Sequence, residues 1–381
     1  MAVLGGLVTG LLASAAPKTI TDGVGRTVQV PANLDGGIVT IGSSGPLRFL
    51  SIFDVFDKVI QVDKGDVTDQ KNGRAYSYAY PYDTLTPQQY HPDNKLESET
   101  VERIGAKKPS LILVQESVYK NYKENCDLLA SAFTLVVLPA QSMTHLWDED
   151  YRLADWYVQK VRMIGALLGQ EARAQEHLAG VNGILADIRS LVTQSDKRVY
   201  VAGLTWQGSN ELTTTFPTYL PLMLSGGINA HGGSELSRVI LDPEAVTTLG
   251  MDYVVIDPSS SDKLSTPNSQ LILAWLYKRQ AEGNVRLFAT LPMVWDSANY
   301  DCVLGGAYYL AHLLYGTLSA EAVEEKIQRV FEVYYGARGA NVLSHMKTFF
   351  EGKSAANGVE LPPLRELLVV QTAAGFGLEA K

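Results

Sequence analysis

Six histidines stand at 91, 145, 177, 231, 312 and 345, and none shows the HxxxH or HExxH spacing that would close two imidazoles on one zinc ion. Cys126 and Cys302 make no CxxC pair, so neither a redox motif nor a structural metal site is indicated. Two buried free thiols in different lobes are expected. There is no G-x-S-x-G elbow, no P-loop and no G-x-G-x-x-G after a strand, which sets aside serine hydrolases and nucleotide enzymes. The chemistry that remains is binding. Arg74-Ala-Tyr76-Ser-Tyr78-Ala-Tyr80-Pro-Tyr82 alternates with period two, and as a strand it would put four tyrosines on one face. Aromatic faces suit a flat or amphipathic ligand, and Arg74 would meet a negatively charged chelate. The alternative is that these tyrosines pack the loop onto its own lobe. Further candidates follow strands or sit on loops: Ser43, Ser44, Trp206, His231 (in "GGINAHGGSE"), Trp295 and Tyr300.

A repeat points to where such residues would converge. Glu102-Arg-Ile-Gly-Ala-Lys-Lys-Pro-Ser-Leu-Ile-Leu-Val-Gln-Glu-Ser117 aligns without a gap with Glu244-Ala-Val-Thr-Thr-Leu-Gly-Met-Asp-Tyr-Val-Val-Ile-Asp-Pro-Ser259. Each reads as a short helix, a turn and a buried strand ending in polar groups. In open α/β sheets the ligand crevice lies at the carboxyl ends of the strands. That makes Gln115, Glu116 and Ser117 in one half, and Asp257, Ser259 and Ser260 in the other, candidates to line it. Any two αβ units share part of this pattern.

The elements that must position these groups alternate. A hairpin is expected over Thr19–Pro31, around Asp22-Gly23 and Gly25. Short apolar strands are expected at Gly37–Gly42, Val59–Val62, Leu111–Val114 and Leu135–Leu138, with helices between them. Ser43-Ser44-Gly45-Pro46 is a turn leading into a helix with Pro in its first turn. The middle breaks the alternation with two successive helices. The first, Asp150–Leu168, places Leu153, Trp156, Tyr157, Val161, Ile164 and Leu168 on one face behind acidic residues 148–150, as an inter-domain strut would. The second runs from Ala174 to Val192, with His177 on a solvent face. Strands resume at Val199–Ala202, Tyr253–Ile256 and Leu287–Thr290, and Tyr300–Phe350 is helical. The expected organisation is an N-terminal lobe over 18–149, an inter-lobe helix over 150–169, a C-terminal lobe over 170–350, and a tail over 351–381 with no place in this scheme.

At 381 residues the chain exceeds one hydrophobic core, so two domains are expected. A formal net charge of −9 argues against nucleic acid as a partner. Met1–Ala16 is apolar and ends in small residues, like the second half of a secretory signal, although a basic start and a lipid-accepting Cys are missing. A damaged signal is expected there.

Together, "ITDGVGRTVQVP", the following I-V-x-I-G strand, "VERIGAKKPSLILV", "LLGQEARA" and "LDPEAVTTLGMDYVVID" resemble the class III substrate-binding proteins that serve iron–siderophore, haem and cobalamin importers. The resemblance runs from about Lys18 to Phe350 and rests on order and spacing. It implies an α/β fold of two Rossmann-like lobes with mostly parallel sheets, joined by one long rigid helix, with the ligand cleft between the lobes. It implies a non-enzymatic, extracytoplasmic and monomeric protein with no built-in cofactor, which captures a metal chelate, first an iron–siderophore, for an ABC permease. By motif position, Glu102 in "VERIGAKKP" and Glu244 in "DPEAV" match the glutamates that dock on the two permease subunits. Only Arg74 and Arg238 are expected near the cleft, fewer arginines than a tri-catecholate pocket gathers. That leaves room for a hydroxamate, a corrinoid, haem or an oxyanion such as molybdate. A class II chelatase shares a related two-lobe plan, but the long inter-lobe helix argues against it. A surface interaction protein without a small ligand is a third possibility.

Overall fold

The computed structural model describes residues 18–381 apart from 44, 69–72, 140–142, 206–207, 296 and 357–359. The chain opens with an antiparallel hairpin of β1 (Thr19–Thr21) and β2 (Thr27–Gln29). Asp22 closes its turn by accepting from the Val24 and Arg26 amides, and its other oxygen accepts from the Val137 amide at 3.2 Å, which pins the hairpin to the first lobe.

The first lobe is built on β3 (Ile38–Ile41), β4 (Val59–Asp63), β5 (Tyr90–His91), β6 (Leu111–Gln115) and β7 (Leu135–Leu138). They pair in parallel in the order β5-β4-β3-β6-β7. Ile-Val-Thr-Ile, Leu-Ile-Leu-Val and Leu-Val-Val-Leu are buried throughout, as expected of parallel strands covered on both faces. The order reverses between β3 and β6, which places a crevice there at the carboxyl ends.

The second lobe contributes β8 (Arg198–Ala202), β9 (Thr214–Thr215), β10 (Ile228–Asn229), β11 (Val239–Ile240), β12 (Tyr253–Ile256), β13 (Arg286–Ala289), β14 (Val294–Trp295), β15 (Ser297–Ala298), β16 (Glu366–Thr372) and β17 (Gly375–Ala380). Its sheet runs β10-β8-β12-β13-β16-β17, parallel through β13 and antiparallel beyond. Residues 366–380, expected as part of a loose tail, are thus the outer strands of this sheet. β17 pairs with its neighbour β16, but β16 joins the sheet through β13, which is distant in sequence. The pairs β9–β11 and β14–β15 form small ribbons of their own.

Between the lobes the chain passes through the strut helix Asp155–Leu168, about 21 Å long at 1.5 Å per residue. It starts later than the acidic signal suggested. Asp148 turns its carboxylate onto the Asp150 and Arg152 amides, and Trp147 bridges to Leu153, so residues 148–153 form a turn. Tyr157, Val161 and Ile164 join the core that runs from Leu47 and Phe53 in the first lobe to Leu304 and Phe331 in the second. Separate clusters fill the far face of each sheet. Cys126 and Cys302 are buried and free, one in each lobe.

The Glu171–Leu191 helix buries His177 completely, where a solvent face was expected. Its Nε2 lies 2.7 Å from the Tyr157 hydroxyl on the strut, and its Nδ1 lies 3.2 Å from the Val333 carbonyl on the Ala320–Tyr335 helix. A neutral ring satisfies both, and burial holds its pKa down at about 3. The unfolded chain takes up a proton near the ordinary 6.5 while the folded chain does not. This contribution to stability is therefore complete above pH 6.5 and is lost as pH falls toward 3. Urea unfolding should show about 3 kcal/mol lost to this group between pH 6.5 and pH 4, and His177→Phe should flatten that slope. An unchanged slope in the variant would assign the acid sensitivity elsewhere.

Candidate functional site

The crevice of the first lobe is shaped by one close approach. Gly42, just past β3, has φ +119°, and a Cβ there would overlap the Cβ of Gln115 at the end of β6. The second lobe repeats the device: Gly203, past β8, has φ +81°, and its Cβ would stand 2.7 Å from the Cβ of Ser260, just past β12.

Beneath the Gly42 turn lies a buried polar cluster. Asp63 accepts from the Gly42 and Asn94 amides, both at 2.7 Å, and so fixes the turn. Burial, then the charge of Asp66, hold the Asp63 carboxyl well above the carboxylate range. Asp66 accepts from the Tyr76 hydroxyl at 2.9 Å and lies 3.5 Å from Arg74 Nη1. Arg74 also donates to Ser43 Oγ at 3.1 Å. Arg74 and Tyr76, expected to meet ligand, are wholly buried and occupied in holding this loop. The tyrosine segment is not a strand. Tyr76–Ala79 makes one helical turn, and Tyr76, Tyr80 and Tyr82 are buried, Tyr80 donating to the Ser51 carbonyl. Tyr78 meets Phe349 of the Val342–Ala356 helix edge to face at 5.9 Å. Packing, not display, is what the alternation encodes.

A small cavity of about 20 Å³ lies between the lobes, bounded by Gly45, Gln115 and Leu138 of the first, Lys160 of the strut, and Ser297 and Tyr300 of the second. Of the predicted residues, the structure brings Gln115 and Tyr300 together here. Tyr300 donates to the Thr144 carbonyl at 2.8 Å, leaving its ring against Trp156. Arg48 and Lys160 also line this cavity and were not anticipated. Each gave a signal. Arg48 is the one charge in the buried helix Pro46–Leu50, and Lys160 falls on the apolar stripe of the strut, four residues from Trp156 and from Ile164.

Other predicted residues stand apart. Glu116 pairs with Lys120 at 2.5 Å, and Ser117 is exposed. His231 is half-buried on its loop, its amide donating to Asn229. Arg238 donates to the Thr205 carbonyl. Asp257 is buried and accepts from the Ser259 and Met293 amides, and burial pushes its carboxyl up to about 6. Ser259 and Ser260 are buried beside it. Ser44, Trp206 and the side chain of Trp295 lie outside the described residues. Glu102 and Glu244 are exposed on the helices Ser98–Lys107 and Pro243–Thr248, and neither forms an ion pair among the described residues. No group of three His, Cys, Asp or Glu able to hold a metal occurs among the described residues.

Two doubly wound lobes, a single strut and a cleft at the carboxyl ends of both sheets define a two-lobe ligand-binding fold. The chain belongs to the periplasmic binding protein family, whose pattern it matches over residues 51–272. Among solved structures it is similar to the Haemophilus influenzae molybdate periplasmic binding protein MolA bound to molybdate, at 15% identity and TM-score 0.59, over 84% of this chain and 98% of that one. It is also similar to a Veillonella parvula periplasmic solute binding protein, at 12% identity and TM-score 0.60, over 88% and 100% of the two chains. A third is the TroA-like binding protein FepB of Veillonella parvula, at 15% identity and TM-score 0.57, over 84% and 96%. No curated protein matches the sequence. No helix among the described residues is long and apolar enough to cross a membrane.

The Gly42 approach gives a direct test. Gly42→Ala should cost about 2–4 kcal/mol in urea unfolding, because it combines a strained φ with overlap on Gln115. Truncating Gln115 to Gly in the same chain should recover part of that loss. A cost below about 0.5 kcal/mol would mean that the loop relaxes freely.

Proposed function

We propose that this protein works outside the cytoplasmic membrane as a monomer, captures a small metal-containing ligand between its lobes and delivers it to an ABC permease. What supports the delivery step is the pair Glu102 and Glu244: both exposed, neither paired among the described residues, and in corresponding places of the two lobes. Each helix leads into a strand whose carboxyl end faces the cleft, β6 for Glu102 and β12 for Glu244. A permease of two subunits would meet one glutamate with each, and such rim charges set registration and on-rate more than affinity. The ligand class expected from the resemblance is an iron–siderophore, which the cleft would take by parting its lobes. A second reading, a bare oxyanion of the molybdate type, is favoured by the two cations that line the cavity, which at about 20 Å³ would have to widen for this ligand too.

Glu102→Ala with Glu244→Ala should leave ligand affinity within about twofold and lower uptake by a reconstituted permease at least tenfold. Lost affinity in the double variant would instead place these residues at the ligand.

A further inference from the structure

Arg48 and Lys160 are 8% and 4% exposed, and both line the cavity between the lobes. Neither has an ion pair among the described residues. Arg48 Nη1 is fixed on the Ala298 carbonyl at 2.5 Å, while its Nε and Nη2 are buried with no hydrogen-bond partner among the described residues. Lys160 gives one hydrogen bond, to the Pro139 carbonyl at 2.6 Å, and its ammonium rests on the rings of Phe49 and Trp156 at 4.6 and 5.4 Å. No carboxylate is among the described residues lining the cavity. The acids within electrostatic reach are engaged: Asp301 accepts from the Tyr335 hydroxyl and the Cys302 amide, and Glu116 holds Lys120.

Burying one cation without an anion is costly, and burying two side by side adds their repulsion. Their hydrogen bonds alone do not account for the charges, since Ala298 and Pro139 each take a single donor that a neutral amide would supply. We propose that Arg48 and Lys160 form a preformed anion subsite at the floor of the cleft, which takes the oxyanionic part of the ligand. The same chemistry comes from two sources, a free tetrahedral oxyanion or the charged oxygen rim of a ferric chelate. This rests on the ligand-capture reading and specifies the charge and the contact point of what is captured.

The protonation of Lys160 agrees with the geometry. Burial, then the charge of Arg48, lower its pKa to about 7, against the opposing effect of Glu116. An anion bound there restores the charged form, so capture at pH 7.5 should draw up to one proton from solution. Affinity should weaken as pH rises above 8.

The test is calorimetric titration of the full chain with molybdate, sulfate, phosphate and ferric citrate, and with two neutral probes, cyanocobalamin and a ferric trihydroxamate. Lys160→Met and Arg48→Gln are titrated alongside, with thermal unfolding of each ligand-free protein. An anionic probe should bind, take up a proton in buffers of different ionisation enthalpy, and lose at least thirtyfold in affinity in either variant. Both ligand-free variants should melt at or above the wild-type temperature, because an unpaired buried charge has been removed. Tight binding of molybdate alone assigns the free oxyanion, and binding of ferric citrate without the inorganic anions assigns the chelate rim. Capture of only a neutral probe, or anion binding that stays within twofold in both variants, overturns the subsite and leaves the binding-protein reading standing. A chain that binds none of the six overturns the ligand-capture reading as well.

Discussion

Across the boundary between the lobes, polar side chains donate to backbone carbonyls, and the shape of the cleft depends on this set of bonds. Arg48 reaches the Ala298 carbonyl from the first lobe, and Asn299 reaches the Gly73 carbonyl from the second. Tyr300 donates to Thr144. Arg173, on the helix after the strut, spans Ile52 on one side and Val333 on the other at 3.0 and 2.8 Å. Each such bond contributes about 0.5–1.5 kcal/mol, and about 1.5–3 kcal/mol where the donor is charged. With an apolar core continuous through the strut, they hold two sheets in one relative position although a single chain crossing joins them.

Within that frame the lobes are alike in backbone and unlike in chemistry. Each ends its first strand on a glycine that the neighbouring crevice strand presses upon, Gly42 under Gln115 and Gly203 under Ser260. The first lobe adds a cation at this level, Arg48. The second adds Asp257, whose carboxyl, raised to about 6 by burial, is taken up by two backbone amides. Asp257 stands where the aligned repeat has Gln115, and Arg48 follows β3, so the two charges are not counterparts of each other.

How much of this could be read beforehand follows from how local each feature is. The β3, β6, β7 and β12 strands are short apolar runs bounded by turns, the β1–β2 hairpin carries its own Asp-Gly turn, and both halves of the aligned repeat form a helix followed by a buried strand. What failed depends on distant partners. Tyr76, Tyr80 and Tyr82 alternate because successive side chains find separate packing sites around Ser51 and Asp66, which spacing alone cannot distinguish from a strand. Asp148 imitates the acidic start of a helix while folding back on Arg152. His177 reads as a surface residue until Tyr157 and Val333, far along the chain, arrive to satisfy both ring nitrogens. Arg48 and Lys160 were legible in principle as charges inside apolar stripes, but only the fold shows that they face the same cavity.

The placement of Lys160 on the strut rather than on a crevice loop has a mechanical consequence. Loops at the carboxyl ends of the strands belong to one lobe or the other and move with it, whereas the strut is packed against both. Its Tyr157 and Ile164 sit in the shared core, and Trp156 stacks toward Tyr300 of the second lobe while Lys160 crosses to Pro139 of the first. A charge anchored there keeps its position through any small parting of the lobes. Arg48 does not, because its Nη1 bond to Ala298 spans the gap and must break if the gap widens.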